Sequence, residues 1–182
     1  LQMKSARAAA DRYAAIEQEL AAGTISKYEA VRKLDELRSV FPQSEVSGKA
    51  AARISALKRE IEGGEKAAYN SNVQEIKSLI SSSSYTDAEE KIRDLFSSKY
   101  ESISEQNVVM KVQELKELID EKAGEEFADI AERTVAHART GDCEALKQEL
   151  KKEYKRIGVG SVGPALAKAL EKIEDIRKQR LA

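Results

Sequence analysis

Three cap-type residues, Ser26, Ser84 and Asp142, stand 58 residues apart, and apolar residues follow each of them in the same register. Ala30, Ala88 and Leu146 form one such set, and Leu34, Ile92 and Leu150 the next. Ala50, Val108 and Leu166 continue the series, then Ile54, Val112 and Leu170, then Leu57, Leu115 and Ile173. A fixed period of this kind marks stacked supersecondary units, each too small to bury its apolar face alone. Within each copy the apolar residues recur three and four apart, the spacing of one face of an α-helix. The period predicts an all-α chain of three tandem three-helix modules, 1–64, 65–122 and 123–182. That makes about nine helices, in one helical-repeat domain over 1–182 that stacks as an α-solenoid-like array.

Local signals supply the boundaries. In the first module a helix over about 4–22 carries Tyr13, Ile16 and Leu20 and ends at Gly23. Ser26 and Glu29 form a capping box for the second helix. Pro42 stops that helix, and Ser47 leads into a third that ends at Gly63-Gly64. The second module places Val73, Ile76 and Ile80 on its first helix, with caps at Ser84 and Ser104. In the third, Asp142 caps the middle helix, and Pro164 takes the first-turn position that proline tolerates.

Composition narrows the functional classes. The chain carries 31 basic and 32 acidic residues, and net charge by module is +2, −4 and +1. Interleaved signs create no field that would gather nucleic acid or anionic lipid. Cys143 is the one cysteine and His137 the one histidine. Neither has partners at ligand spacing, so no metal or cofactor is expected. Cys143 has no neighbouring base to activate it as a nucleophile, and no carboxylate pair lies in an apolar setting suited to acid–base work. No run reaches the roughly 20 apolar residues of a membrane span. The chain opens at Leu1 and is expected to be part of a larger protein. Cytoplasm and bacterial cell envelope both fit this composition.

Residues 13–44 also resemble a tetratricopeptide-type hairpin. The residues that carry the resemblance are Leu20, Gly23, Tyr28, Glu29, Ala30, Leu34, Leu37, Phe41, Pro42 and Ser44. The second and third modules depart from it, with Ser98-Lys99-Tyr100 in place of the Phe-Pro exit and Leu146 in place of Ala. The resemblance implies an α-solenoid scaffold that binds a peptide or protein on a concave surface, and it implies no catalytic residue.

The sequence offers two candidate surfaces. Tyr28, Tyr69, Tyr85 and Tyr100 are candidate partner contacts, because tyrosine is enriched at interfaces. Lys147, Lys151 and Lys155 form an i, i+4 stripe beside Lys152 and Arg156, a face suited to anions. Glutamates share that helix, and a solvated ion-paired face is the plainer reading. The Gly158–Gly163 run precedes a helix like a phosphate loop but comes after a helix rather than a strand. The chain is thus expected to be a non-catalytic helical-repeat scaffold or protein–protein interaction module. The alternatives are a self-assembling spacer, and anion, nucleic-acid or lipid-headgroup binding through the Lys147–Arg156 face.

Overall fold

The computed structural model describes residues 2–182, with side chains from Ser5 onward. Among the described residues the chain is all-α. The helices are α1 (Gln2–Ala21), α2 (Lys27–Val40), α3 (Glu45–Ser81), α4 (Tyr85–Ser97), α5 (Glu105–His137), α6 (Cys143–Ile157) and α7 (Gly163–Leu181), with a 3-10 turn at Gly160–Val162.

Seven helices therefore stand where about nine were expected. The two missing breaks are those at Gly63-Gly64 and Ala123-Gly124, through which α3 and α5 run unbroken. The physical reason is that neither site holds a proline. A glycine in a helix interior costs about 1 kcal/mol relative to alanine, whereas restarting a helix costs a new nucleus. Where two capped helices abut in phase, continuation is the cheaper solution.

The other boundaries obey the local chemistry. Ser26 Oγ accepts from the Glu29 amide at 3.1 Å, and Ser104 Oγ from the Asn107 amide at 3.3 Å. Asp142 Oδ1 accepts from the Glu144 and Ala145 amides at 2.9 and 3.3 Å. Ser84 occupies the cap position of α4 but makes no side-chain cap bond. Its neighbour Ser83 sits at φ +60°. At the start of α3 it is Ser44, three residues before Ser47, whose hydroxyl accepts from the Ser47 amide at 3.2 Å. Gly158 ends α6 at φ +71°, a left-handed conformation that glycine adopts without a Cβ penalty.

The chain divides into two compact units, residues 1–68 and 69–182, rather than one continuous body. In the first unit Ile16, Ala30, Leu34, Leu37, Ala50, Ile54 and Leu57 form the core, with Tyr13, Leu20 and Phe41 packed on its edge. In the second, Val73, Ile76 and Ile80 of α3 join the stripes of α4, α5, α6 and α7 in one cluster. Burial repeats along the 58-residue register at several sets. Leu34, Ile92 and Leu150 are buried, as are Leu57, Leu115 and Ile173, the latter three completely. The match loosens near the C-terminus, where Leu146, Leu166 and Leu170 are half-buried. The glycine-rich run is held to the core by its valines, since Val159 and Val162 are buried. Ser161 Oγ donates to Asp120 Oδ1 at 2.7 Å, tying the same turn to α5.

Candidate functional site

Of the four candidate tyrosines, Tyr28 is exposed, Tyr69 and Tyr100 are half-buried and Tyr85 is buried. Tyr28, at the start of α2, is 44% exposed, and its hydroxyl donates to Glu65 Oε1 at 2.5 Å. Tyr85 is buried at the start of α4. Its hydroxyl donates to Glu126 Oε2 on α5 at 2.8 Å. Burial pushes the Tyr85 phenol up from its ordinary value. Tyr69 and Tyr100 pack edge to face, with ring centres 5.5 Å apart and planes at 87°. The Asn72 amide donates to the Tyr100 hydroxyl at 3.3 Å. Burial raises the Tyr69 phenol as well. These three rings pack within the second unit, whereas Tyr28 is exposed in the first.

Glu126 is the centre of a small polar cluster in the second unit. Arg156 Nη2 of α6 donates to Glu126 Oε1 at 2.5 Å, while Tyr85 holds the other oxygen. Burial works to raise the Glu126 carboxyl, but hydrogen bonds from Arg156, Ser83 and Tyr85 outweigh it and hold the group below its usual range. A carboxylate bonded on both oxygens and facing an arginine is a strut between α4, α5 and α6. Three donors converge on this one carboxylate.

The lysine face is smaller than the stripe suggests. Lys147 turns toward α7, where its ammonium pairs with Glu174, and it also pairs with Glu144 on α6 itself. The hydrogen bonds it donates to Glu174 and Glu144 raise its pKa. Arg156 is taken up by Glu126 and Glu153. Lys151 and Lys155 remain exposed on α6, with no ion pair within 4 Å among the described residues. With Lys152, also exposed, three of the five basic residues of the sequence pattern remain open to solvent outside these pairs.

His137 is exposed at the last turn of α5. Cys143 is buried, its Sγ 3.6 Å from the Ala138 carbonyl oxygen and 3.6 Å from Arg180 Nη1. Arg180 also donates to the Ala138 and Gly141 carbonyl oxygens at 3.0 and 2.6 Å, closing the α5–α6 turn. The histidine and the cysteine share no site. No group of three or more His, Cys, Asp or Glu able to hold a metal ion occurs among the described residues. No described helix is long and apolar enough to cross a membrane.

Two of the grooves among the described residues lie at helix pairs. One, about 670 Å³, lies between α1 and α2 and mixes Arg12, Arg32 and Glu36 with Ile16 and Val40. The other, about 450 Å³, runs between the end of α4 and the start of α5 and is lined by Phe96, Tyr100, Ile103, Val108 and Val109. Phe96 is 56% exposed, and Met110 beyond it 62%. Sequence reasoning missed this apolar patch. Its signal was present: Phe96 comes directly after Leu95, and Val109 and Met110 directly after Val108. Each thus widens a stripe already filled by its neighbour.

No protein-family model, curated protein or solved structure matches this chain.

Proposed function

We propose that the chain is a non-catalytic helical-repeat scaffold, built of three three-helix modules in which α3 and α5 each serve two neighbours. The observation that carries this reading is the recurrence of complete burial at Leu57, Leu115 and Ile173. On this reading α3 and α5 each run on from the last stripe of one module into the first stripe of the next, so a continuous helix is the joint. The tetratricopeptide-like part of the reading extends to the α1–α2 hairpin, where Leu34 and Leu37 are buried together.

Deletion of residues 66–123 tests this. The cut joins Glu65 to Gly124 in helical phase and removes one period. The expected product is a helical monomer with a cooperative melting transition, whereas an unfolded or aggregated product overturns the modular reading.

The apolar patch favours a second role for the same scaffold, contact with a protein or peptide partner. Partner contact there predicts that Phe96→Ser with Val109→Ser leaves stability within about 0.5 kcal/mol. Self-assembly through the patch predicts that the pair lowers the sedimentation coefficient at high concentration. An unchanged coefficient removes self-association from that surface.

A further inference from the structure

The two long helices are anchored very differently. Along α5, Val108, Val112, Leu115, Ile119, Ala123 and Phe127 are buried at intervals of three or four, so the core grips every turn through Gly124. Along α3, Leu57 is buried and the next buried residue is Val73. None of the 15 residues between them is buried. Most helical stability in proteins comes from packing an apolar face, and an isolated helix of about 12–15 residues is marginal even when rich in alanine. This stretch has two adjacent glycines at its middle, Gly63 and Gly64. Both are exposed, and a Cβ built on either meets nothing within 4 Å. No close approach or turn calls for glycine there, and the helix penalty of both stands uncompensated.

The ties nearest the glycine pair are surface bonds. Lys27 reaches Glu60 at 2.8 Å and Tyr28 reaches Glu65, while Lys66 and Glu62 pair one turn apart on α3 itself. Exposed pairs of this kind add little. Ile61 is only half-buried. At the far end Asn72 and Tyr69 meet Tyr100, and Tyr69 packs half-buried on the edge of the second core. The boundary between the two compact units, at Ala68 and Tyr69, falls inside the same stretch.

We propose that residues 58–72 are a built-in hinge, a segment of α3 that opens by local helix melting while both flanking units stay folded. Opening frees the units to reorient. Under tension it also lengthens the chain, since extended backbone spans about 3.4 Å per residue against about 1.5 Å in a helix. The hinge rests on burial and backbone chemistry, and it stands or falls apart from the scaffold reading.

Hydrogen exchange on the whole chain, resolved by peptide, is the test. Amides of 60–70 should exchange at least ~100-fold faster than those of 50–57, 74–80 and 116–127. Gly63→Ala with Gly64→Ala should slow the 60–70 amides roughly 20-fold, by the helix preference of two alanines. The same pair should leave exchange in 116–127 unchanged. Protection in 60–70 equal to that around Gly124, or no response to the double substitution, would overturn the proposal.

Discussion

At the scale of single residues, the structure sorts side chains that look alike in the sequence. Tyr28 and Tyr85 both begin a helix, the first two residues past a serine cap and the second directly after one. Tyr28 is open to solvent, whereas Tyr85 is buried and bonded to Glu126. Tyr85→Phe should cost about 1.5–3 kcal/mol in the second unit, the range for a hydrogen bond to a charged partner. Tyr28→Phe should cost less than about 1 kcal/mol, and chemical denaturation measures both. The Glu126 strut also sets a pH dependence. Its folded pKa is depressed, so its contribution is full above the unfolded carboxylate range and is lost as pH falls through the folded value. Unfolding of residues 69–182 should therefore become easier below about pH 4.5. Glu126→Gln should flatten that slope in a pH series of thermal melts. None of this was legible in the chain, because Tyr85 and Arg156 lie 41 and 30 residues from Glu126 in sequence.

At the scale of elements, the helix starts were largely legible, since a cap is a local event within a single turn. Ser26, Ser104 and Asp142 each make the bond that their sequence position implies. Ser84 does not, because Ser83 adopts a positive φ and turns the chain differently. Alanine at Ser26, Ser104 or Asp142 should lower stability by about 1 kcal/mol. Ser84→Ala should be close to neutral in the same denaturation experiment. Helix ends at glycine were less legible. Gly23 and Gly158 take left-handed φ and end their helices, whereas Gly63, Gly64 and Gly124 stay helical. The residue type is the same in all five cases, so glycine alone does not mark a helix end.

At the scale of the whole molecule, the 58-residue period located the core positions better than it located the helices. Leu34, Leu57, Ile92, Leu115, Leu150 and Ile173 are all buried where the register places them. The period did not foresee the division at residue 68, which depends on the burial gap after Leu57. Leu34→Ala should cost about 2–5 kcal/mol in the first unit. Exchange in residues 74–176 should stay unchanged, which shows whether the units unfold separately. Aspartate at Ile54 or Val112 buries a charge and should unfold its own unit. Leu170→Asp should be milder, because Leu170 is half-buried and its carboxylate can turn to water. The ion-paired reading of the lysine stripe did not name its partners. Its partners Glu126 and Glu174 come from α5 and α7, and helical spacing within α6 carries no record of them.

The lone thiol has a practical consequence. Cys143 is buried beneath the α5–α6 turn, with Arg180 laid across the carbonyl oxygens beside it. The folded chain should therefore be almost silent to maleimide reagents, with labelling limited by the opening of that turn. A cysteine introduced at an exposed position on each side of the glycine pair, such as Ser55 and Ser78, would then be the chain's fast-reacting thiols. Dyes attached there would report α3 bending directly, with the native cysteine left in place.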